Sequence, residues 1–228
     1  MKSDVRHPGS FAVVRCHLEA GEQIRVEAGA MLATSHGVAL AAKVEGGLMR
    51  GLARKMLTDE NLYTTTYTAP EFGGWVDLAH SLPGDVAVVP VRPEAALMIA
   101  KGSWIASNGE VEIQTKWGGM KNLIGGEGAF LVRAQGQGQL VLGCYGAIDS
   151  YALDPGETIV IDNGHVVAYE ETVGHSLRRA VEGKTMQSRK SGEGLVYEFT
   201  GPGRVLTQSR NPEALIDYLT DVLPFEKD

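Results

Sequence analysis

Apolar residues along this chain fall in short runs, and most of the runs alternate. Ile24/Val26, Leu97/Ile99 and Ile159/Ile161 each set two apolar side chains two positions apart, the period of a half-buried strand. Strand formers such as Tyr63-Thr64-Thr65-Thr66-Tyr67 lie between turn dipeptides, among them Gly73-Gly74, Pro83-Gly84, Asn108-Gly109, Gly118-Gly119 and Asn163-Gly164. The pattern predicts an all-β fold. Two stretches change to helical spacing. Asn211-Pro212-Glu213 supplies an N-cap, a proline at the first helical position and an acid in the first turn. Leu215, Tyr218, Leu219, Val222 and Leu223 then make one apolar face, and Pro224 ends the helix. Leu215, Leu219 and Val222 are expected to pack on the β-core. Residues 48–57 (LMRGLARKML) form a second, shorter amphipathic stretch interrupted by Gly51.

The alternating runs recur as a block. Residues 24–33 read IRVEAGAMLA, 97–106 read LMIAKGSWIA and 159–168 read IVIDNGHVVA, each with Gly at the sixth position and Ala at the tenth. A second block follows in register: Glu60 with Leu62 and Tyr63, Gly126-Glu127-Gly128 with Phe130, and Gly192-Glu193-Gly194 with Val196. Each then reaches a glycine pair and an apolar strand, at Gly73-Gly74, Gly136-Gln137-Gly138 and Gly201-Pro202-Gly203. The first and third copies also open alike, as Leu-x-x-Gly-Glu-x-Ile ending on Ile24 and Ile159. Ordered blocks in three successive copies point to an internal repeat with loops of unequal length. Three like β-sandwich units bury their apolar faces most economically about a pseudo-threefold axis sharing one core, since an open row requires caps. The expected organisation is one β domain over residues 1–210, with repeats at about 18–92, 93–152 and 153–210. Residues 211–228 add the helix and a tail, with the glycines Gly29, Gly102 and Gly164 at matching positions.

The stretches EAGAMLA, KVEGGL, GGEGAFLV, GQGQLVL, DNGHVVAYE and FTGPGRVLTQSR, spread over roughly residues 11–210, resemble the mitochondrial-biogenesis ("altered inheritance of mitochondria") family. Bacteria and archaea carry this family as a standalone domain of uncharacterised function. The resemblance implies a β-sandwich similar to the tryptophan RNA-binding attenuation protein and related to double-stranded β-helices. It implies no catalytic residues. Its mitochondrial members are associated with organisation of the inner membrane.

Composition narrows the function. The chain has 228 residues, 43% apolar and 21% charged, which suits a globular protein, and its 29 glycines suit many tight turns. The opening MKSDVRHPGS lacks the apolar core of a signal peptide, and Asp4 argues against a mitochondrial presequence, so a cytoplasmic location is expected. No apolar run approaches the length of a membrane-spanning helix. Cys16 and Cys144 are too few for a disulfide framework or a zinc site. A cupin-like metal site needs paired histidines on one strand. The nearest set is His165, Glu171 and His175, without a His-x-His anywhere, so neither metal nor cofactor is expected. Cys16 and His17 are strand neighbours that point to opposite faces and do not form a nucleophile–base pair. Catalysis is not expected.

Charge carries more. The net charge of −7 disfavours nucleic acid, yet the positive residues cluster. Arg50, Arg54 and Lys55 fall between the two blocks of the first copy, Lys116 and Lys121 in the second, and Arg178, Arg179, Lys184, Arg189 and Lys190 in the third. Within residues 50–55, 116–121 and 178–190 only Glu182 opposes them. Equivalent segments of a repeat share one end, so one end is expected to be basic. Arg50, Arg54, Lys55, Lys121, Arg178, Arg179, Arg189 and Lys190 are the candidate anion-binding residues. The reading is a non-enzymatic binding or assembly module that meets an anionic membrane surface or an acidic protein, with self-association open. RNA binding by analogy of fold is the first alternative, against which stands an aromatic content of 7%. A cupin-like metalloenzyme is the second.

Overall fold

The computed structural model describes residues 1–44, 63–100, 102–116, 131–180 and 194–223. Among these the regular elements are β-strands, one 3₁₀ turn and one helix. The first strands are β1 (Lys2–Arg6), β2 (Val13–Leu18), β3 (Gln23–Glu27), β4 (Met31–Thr34), β5 (Ala39–Val44), β6 (Tyr63–Thr68) and β7 (Gly74–Ala79). Next come β8 (Val86–Val91), β9 (Leu97–Ala100), β10 (Trp104–Asn108), β11 (Glu110–Lys116) and the long β12 (Leu131–Gly143). Then follow β13 (Ile148–Leu153), β14 (Thr158–Asp162), a 3₁₀ turn (Asn163–His165), β15 (Val166–Glu170), β16 (Gly174–Arg179), β17 (Leu195–Thr200), β18 (Gly203–Gln208) and helix α1 (Pro212–Val222). The predicted all-β class with a C-terminal helix holds. The expected short helix at 48–57 lies outside the described residues.

The pairing follows one scheme along the chain. β7 is flanked by β2 and β4, the distal half of β12 by β8 and β10, and β18 by β13 and β15. Likewise β6 is flanked by β3 and β5, the proximal half of β12 by β9 and β11, and β17 by β14 and β16. A bulge interrupts the ladder between Met31 and Ala33, between Trp104 and Ala106, and between Val166 and Ala168. These are the eighth and tenth positions of the three sequence blocks. The extra residue lets the strand turn from one sheet toward the next.

The apolar side chains form three clusters, where sequence reasoning expected one. Val14, Cys16, Ile24, Val26, Val76 and Leu78 take in Ile105, Ala106 and Val141 from farther along. Ile99, Trp104, Val111, Leu140 and Leu142 take in Val167 and Ala168. Tyr169, Tyr197, Phe199, Val166 and Val205 make the third. Strand alternation is the cause. Val141 faces one cluster while Leu140 and Leu142 face the next, so a sheet apolar on both sides separates two cores.

Two of the three block glycines adopt a positive φ. Gly29 (φ 92°) and Gly102 (φ 78°) turn the chain between β3 and β4 and between β9 and β10. Gly164 sits between β14 and β15 but in the 3₁₀ turn, where Asp162 Oδ1 accepts from its N–H and the Asn211 side chain packs on it. Gly136-Gln137-Gly138 is not a turn. It lies inside β12, which passes from one sheet into the other without a break.

Helix α1 departs from expectation. Asn211 caps it, its side chain accepting from Glu213 N–H at 2.9 Å, and Pro212 starts it as predicted. No residue of the helix is buried, however, and Leu219 and Val222 are 37% and 55% exposed. The capped sequence forms the helix locally, without burial of any of its residues among the described part of the chain. Deleting residues 211–228 is therefore expected to shift the melting temperature by no more than about 2–3 °C, well under the loss of a buried apolar helix face. Thermal denaturation of the truncated chain checks this.

Candidate functional site

The basic segments have equivalent places in the pairing scheme. Each joins the same two strands: residues 45–62 lie between β5 and β6, residues 117–130 between β11 and β12, and residues 180–194 between β16 and β17. The hairpins close in antiparallel register on Val44↔Tyr63, Lys116↔Leu131 and Arg179↔Leu195. In all three the closing end lies toward the C-terminal end of the partner strand, with Glu27 opposite Thr64, Ala100 opposite Leu131 and Asp162 opposite Val196. Arg50, Arg54, Lys55, Lys121, Arg189 and Lys190 lie outside the described residues. Arg178 and Arg179 are on β16. Arg178 Nε donates to Glu198 Oε2 at 3.2 Å across the hairpin, so part of its charge is compensated.

Glu27 stands beside the first hairpin end. Burial pushes its carboxyl up to about 7. A carboxyl raised in the folded state leaves folding stability intact below the unfolded value near 4.5. Stability is then lost as pH rises toward 7, because the folded chain binds the extra proton. Glu27→Gln is expected to stabilise the protein at pH 8 by about 1–2 kcal/mol after solvent screening, and to change nothing at pH 4. Urea unfolding at the two pH values measures this.

The most densely paired charges lie elsewhere, on the outer face of the β1-β2-β7 sheet. Asp77 is 3% exposed. It accepts from Arg15 Nε at 2.8 Å and Arg15 Nη2 at 2.9 Å, and from Arg6 Nη2 at 2.6 Å. These bonds, Arg15's first, hold the Asp77 carboxyl below its ordinary range against the opposing effect of burial. The Arg15 guanidinium also stacks on Trp75 at 3.7 Å. Sequence reasoning missed this cluster. Its signal was the outward parity of Arg15 on β2 and of Trp75 and Asp77 on β7.

The other candidates are dispersed. His165 Nδ1 meets the Gln208 carbonyl at 2.7 Å, His175 Nε2 lies 3.3 Å from the Tyr169 hydroxyl, and Glu171 pairs with Arg133. Among the described residues no three His, Cys, Asp or Glu side chains are placed to share a metal ion. Burial pushes the Cys16 thiol up to about 12 and Cys144 to about 11. His17 turns away to Asp4, with Nε2 2.8 Å from Oδ2. A groove of about 630 Å³ runs between Met1, Arg92, Glu94, Asn108 and Gln139 without convergent acid–base partners. No described helix is long and apolar enough to cross a membrane.

The described residues thus define an all-β protein of several sheets with one C-terminal helix. Residues 3–210 match the family model described as Mitochondrial biogenesis AIM24, and the chain belongs to that family. An uncharacterized protein of Streptococcus pyogenes serotype M6 is 28% identical over 232 residues, covering 98% of this chain and 92% of that protein. A crystal structure of a Streptococcus pyogenes protein, also 28% identical, superposes with a TM-score of 0.81 over 97% of this chain and 99% of that one.

Proposed function

We propose that this chain is a non-enzymatic binding and assembly module, built of three like β-sandwich units, whose basic hairpin ends dock on an anionic membrane surface. The observation that carries the reading is the common strand connection of the three basic segments. The unit reading itself draws on the shared pairing scheme and the three bulges at one block position. Two three-stranded sheets per unit support a sandwich similar to the tryptophan RNA-binding attenuation protein. In pairing terms the units run from β2 to β7, β8 to β12 and β13 to β18, one strand earlier than the sequence blocks suggested. The proposed location is the cytoplasmic side, which the two buried free thiols suit.

Like-placed loops on like units gather charge that the acidic remainder of the chain keeps from spreading, and such a cluster focuses potential locally. Leu48, Leu52 and Met56 flank and interrupt Arg50, Arg54 and Lys55 in the sequence, adding apolar burial at a headgroup boundary that bare nucleic acid does not offer. Flotation with vesicles containing phosphatidylserine tests the reading. Binding is expected at low salt and is expected to weaken steeply toward physiological ionic strength, where exposed charges are screened over about 8 Å. Equal binding to neutral vesicles would contradict it. So would capture by RNA or by an acidic protein without vesicle binding.

A further inference from the structure

The two ends of this row of strands are complementary halves of a sheet that the chain builds twice within itself. β8-β12-β10 joins β3-β6-β5 through the β10–β3 pair, and β13-β18-β15 joins β9-β12-β11 through the β15–β9 pair. The register repeats. Ala106, Ser107 and Asn108 oppose Val26, Arg25 and Ile24, and Ala168, Tyr169 and Glu170 oppose Ile99, Met98 and Leu97. In block positions, the tenth to twelfth residues of one unit always meet the third to first of the unit before.

One half of each kind is left over. The β1-β2-β7-β4 sheet ends on β4 and the β14-β17-β16 sheet ends on β14, and among the described residues neither strand has a partner on its outer edge. The side chains record the difference. Leu32 is 60% exposed, whereas Ile105 and Val167 at the same block position are at 0%. Met31 is 40% exposed against 2% for Trp104 and 3% for Val166, and Val160 is 52% exposed against 7% for Met98. An apolar strand edge left open is a template for another chain.

We infer that the chain assembles head to tail with further copies of itself, β4 of one copy pairing antiparallel with β14 of the next. The internal register fixes the contacts: Ala33, Thr34 and Ser35 oppose Ile161, Val160 and Ile159 of the next copy. The occupant is a second copy because both halves are present in one chain and each already has a fitted counterpart inside it. Joining them completes a third sheet of the same plan, buries Leu32 against the aromatic cluster of Tyr169, Tyr197 and Phe199, and removes both open edges. Asp77 stands where Val141 and Leu206 stand at the internal joints, and Arg6 and Arg15 of its own chain neutralise it there. The exposed apolar face of α1 begins beside the same end, since Asn211 packs on the β14–β15 turn. Such an interface joins two different surfaces, so it generates a closed ring or an open filament according to the rotation between copies.

The inference rests on the three-unit reading and not on the membrane. The test combines solution mass with directed cross-linking of the full chain. Light scattering is expected to give a multiple of the 24.4 kDa chain mass, and Leu32→Glu with Val160→Glu, both at exposed positions, to return the single-chain mass with unchanged circular dichroism. A Thr34→Cys chain mixed with a Val160→Cys chain is expected to form a disulfide dimer that neither forms alone, since Cβ atoms directly opposed across strands lie about 4.5–5.5 Å apart. A wild-type protein at single-chain mass at every concentration overturns the inference. A Thr34→Cys/Val160→Cys double variant that cross-links only within one chain does so too. Internal cross-linking of Arg25→Cys with Ser107→Cys in a monomeric protein would sink the assembly and leave the three-unit reading standing.

Discussion

Changing Arg50, Arg54 and Lys55 together to Glu is expected to lower affinity for phosphatidylserine vesicles by more than about 100-fold at low salt. Each cation near an anionic leaflet contributes about 1 kcal/mol, so losing three and adding three repulsive charges removes several kcal/mol. The fold should survive, because Glu is as polar and charged as the residues it replaces and charged side chains of this kind are almost never part of a core unless paired. Reversing Arg178 alone should cost far less, since Glu198 already offsets it. Circular dichroism separates lost docking from lost structure. Undiminished binding by the triple variant would place the anionic contact somewhere other than the first hairpin.

Gly136→Ala is expected to have the largest effect on stability, a loss of about 3–5 kcal/mol against a typical domain total of 5–15. Gly136 has φ 118°, and a Cβ there would sit 2.0 Å from the Glu110 carbonyl oxygen, a backbone atom that cannot swing aside. The position is where β12 passes from the β9–β11 side to the β8–β10 side, so relieving the clash means breaking a ladder. Gly102→Ala is the control. It shares a positive φ of 78° but has open space around it, so only backbone strain of about 1 kcal/mol is expected. Urea denaturation of the two variants measures the difference. Equal losses would show that φ alone, and not the approach to β11, decides the Gly136 effect.

Part of this architecture is legible in the sequence because it is decided by local physics. The Leu-x-x-Gly-Glu openings are one such device. Gly21 and Gly156 adopt φ 71° and 83°, and Glu22 and Glu157 each accept from the backbone N–H three residues earlier, that of Glu19 and Asp154, at 2.9 Å. The α1 cap was readable for the same reason, being decided within three residues. Features set by distant partners were not. Alternation says that Val141 and Leu140 face opposite sides, but not that both sides are core. The apolar face of α1 reads as buried, yet burial requires a groove that no local pattern reveals. Gly136-Gln137-Gly138 reads as a turn like Gly201-Pro202-Gly203, and the continuous pairing of β12 overrides it. The Asp77 cluster needed three strands to meet, Arg6 from β1, Arg15 from β2 and Asp77 from β7. Among the candidate cations, the Glu198 partner of Arg178 becomes visible only across the β16–β17 ladder.

The central claim is that the three hairpin ends meet one anionic surface together. Single nitroxide labels attached through cysteines at positions 54, 121 and 189 test it most directly, because the native thiols Cys16 and Cys144 are buried. Collision with a lipid-soluble relaxant, measured on phosphatidylserine vesicles, is predicted to rise at all three positions and to stay unchanged at Pro155→Cys, an exposed turn position before Thr158, at the opposite end of β14 from the Asp162↔Val196 pair beside the third hairpin. A rise at only one hairpin, or equal response at position 155, would contradict a shared basic face.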